Sequence, residues 1–101
     1  MARFDNFAEF YPFYLAEHSD RTCRRLHFVG SSLVLGLLLA LLIGALPLLW
    51  ALALPVVGYG FAWVGHFFFE HNRPATFKHP LYSLIGDWVM FRDMLIGKIP
   101  F

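Results

Sequence analysis

Forty-two consecutive positions, Phe28 to Phe69, carry no Asp, Glu, Lys or Arg, while charged residues are spread over both flanks. A hydrocarbon core about 30 Å thick takes about 20 apolar helical residues to cross, so the block is long enough for two crossings and a tight turn. Gly44-Ala45-Leu46-Pro47 interrupts it at the middle. Glycine suits the end of one helix there, and proline the first turn of the next. The pattern predicts one span over about residues 26–44 and a second over about 47–69, forming an antiparallel hairpin.

The flanks carry weaker periodicity. Phe4, Phe7, Ala8, Tyr11 and Leu15 recur at helical spacing, with Asp5, Asn6 and Glu9 elsewhere around the turn. This predicts an amphipathic helix over about 4–17 lying at the interface, which Pro12 either kinks or starts. Residues 80–98 form a second apolar stretch, bounded by Pro80 and Pro100. As a helix it would rise about 28 Å and nearly span, but Asp87, Arg92 and Asp93 would then sit at membrane depth, at about 2.5–3.5 kcal/mol each. The expectation is an interfacial or shallow helix packed on the hairpin; a third crossing is the alternative if Asp87 faces the bundle. The expected fold class is an all-α membrane protein, a two-helix transmembrane hairpin flanked by N- and C-terminal interfacial helices. With no long linker or repeat, it forms one domain over 1–101.

Charge sets the orientation. Arg21, Arg24 and Arg25 precede the first span, Arg73 and Lys78 follow the second, and the turn between them has no charge. Short basic loops stay on the cytoplasmic side, so both termini are expected there. The acidic, aromatic start with Asp5, Glu9 and Glu17 argues against a cleavable signal peptide. Brevity and the lack of a targeting extension favour a bacterial inner membrane over the endoplasmic reticulum of a eukaryote. A net charge of +1 argues against a nucleic-acid partner, whereas basic residues at the boundary suit lipid phosphates or an anionic lipid-like substrate. Cys23 is the only cysteine, which excludes a disulfide framework and a Cys-based zinc site within one chain. It reads as a small boundary residue rather than a catalytic thiol. A homodimer burying the outer faces of the spans is compatible with so small a hairpin, though no motif demands it.

Histidines mark both ends of the apolar block. Folding at the turn brings His27 and His66 to the same height at the cytoplasmic boundary. Gly58, Ala62, His66 and Glu70 fall at successive i, i+4 positions, a stripe of small residues ending in an imidazole and a carboxylate. His27, Gly30, Ser31 and Val34 form a matching stripe, and small residues let helices approach closely in lipid. His18 joins only if the chain breaks between it and His27. Ser19-Asp20 offers that break, since either residue can cap a new helix. His18, His27, His66 and Glu70 then make a candidate metal site of three nitrogens and one oxygen, suited to Fe(II) or Zn(II) rather than magnesium or calcium. The bland alternative is a set of boundary histidines that only hydrogen-bond. His71 reads as a surface residue. His79, in the loop before Pro80, is either a supporting group or a replacement ligand. Arg73 either snorkels to headgroups or clamps a carboxylate substrate.

Tyr14-Leu15-Ala16-Glu17-His18, Leu26-His27-Phe28-Val29-Gly30 and above all Trp63-Val64-Gly65-His66-Phe67-Phe68-Phe69-Glu70, followed by Arg73-Pro74-Ala75, resemble the Mpo-like family of small membrane proteins. The likeness covers nearly the whole chain. Its characterised fungal member is an endoplasmic-reticulum dioxygenase that uses Fe(II) and molecular oxygen to shorten 2-hydroxy fatty acids by one carbon. The resemblance implies metal ligation by His18, His27 and His66, with Glu70 at the matching acidic position. It implies a 2-hydroxy acid held with help from Arg73. The chain is shorter than the fungal enzyme, which bears on acyl length and pathway. Two other readings are a non-enzymatic membrane scaffold or lipid-binding protein, and a zinc-dependent lipid hydrolase with Glu70 as general base.

Overall fold

The computed structural model describes residues 4–101, and these are helical with no strand. Helix α1 spans Phe7–Ala16, α2 Arg21–Leu42, α3 Ala53–Val64 and α4 Pro80–Leu95. A 3-10 turn, Leu48–Leu52, leads into α3, a wider π turn, Gly65–Glu70, continues it, and a short 3-10 turn, Ala75–Phe77, precedes α4.

The helix ends follow local chemistry. Asn6 caps α1 by accepting from the Glu9 N–H at 2.9 Å, and Pro12 lies inside that helix rather than at its start. Of the two residues offered for the break after His18, Asp20 is the cap: its carboxylate accepts from the Cys23 N–H at 2.9 Å. Helix α2 therefore begins at Arg21, nearly two turns before the apolar block, and carries His27 inside it. At its far end Gly44 takes φ +76°. The Ala45 N–H reaches back to the Ala40 carbonyl at 2.8 Å and the Gly44 N–H to Leu41 at 3.2 Å. This pair of reversed bonds needs a left-handed residue, which glycine adopts without a Cβ penalty. Helix α4 stops at Leu95, short of residue 98, because Gly97 makes the same left-handed exit at φ +84°.

Helices α2 and α3 approach through small residues. A Cβ on Gly30 would lie 2.8 Å from the Phe61 Cβ, one on Gly65 2.9 Å from the Cys23 sulfur, and one on Gly58 3.5 Å from Val34. Arg21–Leu42 and Leu48–Glu70 are each long and apolar enough to cross a membrane. Most of their large side chains are uncovered, among them Leu39, Leu42, Leu48 and Val56. The buried core sits elsewhere, where Phe10 and Tyr14 of α1 meet Met90 and Met94 of α4 and Ala75. Gly86 makes that contact close, since a Cβ there would lie 2.9 Å from the Tyr14 ring. The polar ends of this packing are tied: the Tyr11 hydroxyl donates to Asp93 at 2.7 Å and the Tyr14 hydroxyl donates to Asp87.

Candidate metal centre

Three histidines from three segments converge. His18 lies just after α1, His27 in the second turn of α2 and His66 in the π turn after α3, and all three are buried. One ring nitrogen from each falls within 4.8 Å of the other two. The His18 Nε2 lies 3.1 Å from the His27 Nε2 and 2.9 Å from the His66 Nε2.

The opposite ring nitrogens decide what these contacts are. His18 Nδ1 faces the Tyr14 carbonyl at 2.6 Å and His27 Nδ1 the Cys23 carbonyl at 2.9 Å, both one helical turn back. A carbonyl only accepts, so each Nδ1 carries the proton and donates. His66 Nδ1 faces the Asn72 Oδ1 at 2.7 Å. The amide orientation is set independently, because the Asn72 Nδ2 donates to the Glu17 carbonyl at 3.1 Å. His66 Nδ1 is therefore a donor too. The His18 Nε2 then presents its lone pair to those of both His27 and His66 at hydrogen-bond distance with no proton between them, an arrangement that calls for a cation.

A metal fits that demand. Neutral imidazole is a metal ligand, and its second nitrogen commonly donates to a carbonyl or carboxylate that fixes the tautomer. With metal–nitrogen bonds of about 2.1 Å, ligands at right angles have nitrogens about 3.0 Å apart, in line with the two separations above. His18 is held neutral: burial pushes its pKa well below the ordinary histidine value, and the facing imidazoles of His27 and His66 push the same way. The Tyr14 ring stacks on it at 4.0 Å between centroids.

The other residues singled out in the sequence lie apart from this cluster. Glu70 accepts from the Asp20 backbone N–H and from the Ser19 hydroxyl, tying the end of the π turn to the start of α2. The reason is the turn itself. Hydrogen bonds of the i→i+5 type rotate each residue by less than an α-helix does, so the i, i+4 stripe running through Gly58, Ala62 and His66 does not continue to Glu70. His79 packs edge-on against Phe4, Phe10 and Phe13. Arg73 is exposed and lines a surface groove with Glu17, Lys78 and His79. His71 is exposed and closes the π turn at φ +58°.

Beside the histidines a cavity of about 260 Å³ opens between α2, α3 and α4. His27, Ser31 and Asp87 give it a polar end, and Val34, Leu54 and Gly58 belong to its apolar length. Asp87 was visible in the sequence only as a charge that α4 would have to place. Burial raises its pKa to about 6, against the opposing pull of the Tyr14 hydrogen bond. Tyr14 in turn is held far above the ordinary tyrosine value by burial and by Asp87. Asn72 carried no signal of its own beyond its place in the polar loop after the second span.

A family model described as 2-hydroxy-palmitic acid dioxygenase Mpo1-like matches residues 4–99. The chain belongs to the Mpo1-like family. No curated protein and no solved structure matches it. The matched range takes in all three histidines of this Mpo1-like chain, together with Asn72 and Asp87.

Proposed function

We propose that this protein is an Fe(II)-dependent dioxygenase that shortens 2-hydroxy fatty acids by one carbon, with His18, His27 and His66 as the metal ligands. The observation that carries the reading is the set of three lone-pair nitrogens facing one another, each fixed by a donor bond on its far side. Membership of a family described as a 2-hydroxy-palmitic acid dioxygenase supplies the substrate class. Two histidines and a carboxylate with open positions are how many non-haem iron centres admit oxygen and substrate, and a three-histidine set likewise leaves positions open.

In this reading α2 and the Leu48–Glu70 segment cross the bilayer as an antiparallel hairpin, with α1 and α4 at the cytoplasmic interface beside both termini. Two observations support it. Only 11% and 6% of the two apolar windows are buried by protein, whereas a soluble core helix would be covered. The ionisable histidines gather at the end where Arg21, Arg24, Arg25 and Arg73 lie. Arg73 and Lys78 face headgroups.

The residues then divide the work. The histidine nitrogens hold the metal, and the cavity reaches His27, so a carboxylate entering it meets the centre there. The apolar walls at Val34, Leu54 and Gly58 accept the alkyl chain and exclude water from it. Bound iron would supply activation of molecular oxygen for cleavage of the bond between the carboxyl carbon and its neighbour. One oxygen molecule balances the conversion of a 2-hydroxy acid to the acid one carbon shorter, carbon dioxide and water. A zinc hydrolase with Glu70 as base is disfavoured, because that carboxylate is engaged by Asp20 and Ser19. A scaffold whose histidines only hydrogen-bond leaves three acceptors facing one another.

The test is mass spectrometry of products after supplying detergent-purified, Fe(II)-loaded protein with 2-hydroxypalmitate, with and without oxygen. An oxygen-dependent acid one carbon shorter is expected. Absence of that product from iron-loaded protein would overturn the reaction.

A further inference from the structure

Asp87 is the only carboxylate lining the cavity among the described residues. It reaches that wall from α4, while His27 reaches it from α2. The Tyr14 hydroxyl donates to its Oδ1, and no described group donates to its Oδ2. An ionised carboxylate accepts and cannot donate. In an otherwise largely apolar cavity its free oxygen carries a desolvation cost until a donor arrives.

The occupant that relieves this cost has a long apolar body, to lie along Val34, Gly58 and Leu54, and an O–H near its polar end. A carboxylate cannot be the group that meets Asp87, since two like charges would face each other in a site of low polarity. A hydroxyl on the carbon next to the carboxylate satisfies both demands. It donates to Asp87 while the carboxylate turns to the histidine side, where a metal held by those residues would receive it.

We propose that Asp87, held by Tyr14, is the residue that reads the 2-hydroxyl and so sets the preference for 2-hydroxy acids over acids without that donor. This rests on the dioxygenase reading and names what selects its substrate. A site built to pair with a substrate hydroxyl rejects analogues lacking it far more strongly than an apolar pocket rejects a change of size, because its own polar group is left unpaired. Tyr14 is a positioning residue here. It fixes one oxygen and leaves the other to the ligand.

The experiment compares two ligands of nearly equal size, 2-hydroxypalmitate and 2-fluoropalmitate, of which only the first has a proton to donate. Binding is measured on the full chain in detergent, loaded with Zn(II) so that no turnover intervenes. Any preference arising at the metal is common to all proteins compared, and the change between proteins isolates Asp87. In Asp87→Leu the preference for the hydroxy acid should fall about tenfold or more. Asp87→Asn should lose less of it, since an amide whose oxygen stays with Tyr14 turns N–H donors to the cavity, and a hydroxyl oxygen, unlike fluorine, accepts from them well. An unchanged preference in Asp87→Leu that retains one equivalent of zinc would overturn the proposal. So would equal binding of both acids by the unaltered protein, or loss of zinc from both variants, which would make Asp87 a support of the metal centre. The dioxygenase reading fails separately. Product from the iron-loaded protein with a preference indifferent to Asp87 sinks only the role of Asp87, whereas a preference dependent on Asp87 without product sinks the oxidation.

Discussion

His18 and His66, forty-eight residues apart in the chain, face each other Nε2 to Nε2 at 2.9 Å. The Tyr14 carbonyl holds the proton of one ring on its far side, and Asn72 holds that of the other. Protonating either Nε2 would bridge the pair but bury a positive charge, and the lowered pKa of His18 opposes it. Folding has thus gathered three histidine nitrogens in an arrangement that suits a metal ion.

Metal removal should therefore lower stability. A ligand that binds only the folded state adds about 4 kcal/mol at a free concentration a thousand times its dissociation constant. Thermal unfolding in detergent, with Fe(II) or Zn(II) and then with chelator, should show a large drop in midpoint. His18→Ala, His27→Ala and His66→Ala should each abolish the difference between the two conditions. A metal-dependent increment that survives in one of them would remove that histidine from the ligand set.

Asn72 is expected to matter to metal affinity without touching the metal. Its Oδ1 fixes the His66 tautomer while its Nδ2 is tied to the Glu17 carbonyl. Loss of such an outer partner typically costs about 10–100-fold in affinity. Asn72→Leu should show that loss in a competition titration against a chelator, and Asn72→Asp, which keeps an acceptor for His66, should recover most of it. Equal affinity in Asn72→Leu and the unaltered protein would mean that His66 is oriented by its packing alone.

Glycines on the first apolar segment and its partner should respond oppositely to added methyl groups. Gly65→Ala drives a Cβ to 2.9 Å from the Cys23 sulfur and 3.2 Å from its Cα, against backbone that cannot swing aside. Overpacking of this kind costs about 1–3 kcal/mol, and it displaces the residue next to His66. Gly36, by contrast, has nothing within 4 Å of the new atom. Gly36→Ala should raise the unfolding midpoint slightly, alanine being favoured over glycine in a helix interior by about 1 kcal/mol. The two midpoints, measured in the same detergent, decide it; a Gly65→Ala protein as stable as Gly36→Ala would contradict the close contact.

Glu70 should prove dispensable for metal binding. Its carboxylate serves the Asp20 N–H and the Ser19 hydroxyl at the joint before α2. Glu70→Gln keeps an acceptor there, so metal content by elemental analysis should stay at one equivalent. Glu70→Ala should lose roughly 1.5–3 kcal/mol of stability, the value of a hydrogen bond to a charged group, with metal content unchanged. Loss of metal in Glu70→Gln would return the carboxylate to the ligand set.

What was legible in the sequence, and what was not, divides along the range of the forces involved. The turn at Gly44 and the cap at Asp20 are decided by chemistry within a few residues, and so is the apolar length of Arg21–Leu42 and Leu48–Glu70. The meeting of His27 with His66 followed from folding the apolar block at its midpoint. α-helical counting puts Glu70 beside His66, whereas the π turn, which leaves no mark in side-chain spacing, turns it to the Asp20 N–H and the Ser19 hydroxyl. His79 looked available in a polar loop, yet Phe4, Phe10 and Phe13 gather round it from far along the chain. Asp87 gave half its signal, a lone acid in the apolar first turns of α4. The other half is Tyr14, seventy-three residues away, and no local pattern pairs them.

Asp87 should also leave a mark on stability as a function of pH. Burial raises its carboxyl from 3.8 to about 6, so the folded state binds the proton more tightly than the unfolded chain does. The stabilisation from that proton is complete below pH 3.8, declines as pH rises and is gone above about pH 6. The gap between the two values corresponds to about 3 kcal/mol. His18 acts in the opposite sense, because its lowered pKa costs stability as pH falls below 6.5, so the raw pH profile mixes the two. Asp87→Asn removes only the carboxyl. The difference in unfolding free energy between the unaltered protein and Asp87→Asn should therefore shift by up to about 3 kcal/mol from pH 4 to pH 7, with the unaltered protein relatively more stable at the acidic end. A difference that stays flat over that range would mean that the carboxyl is solvated through the cavity and titrates as it does in the unfolded chain.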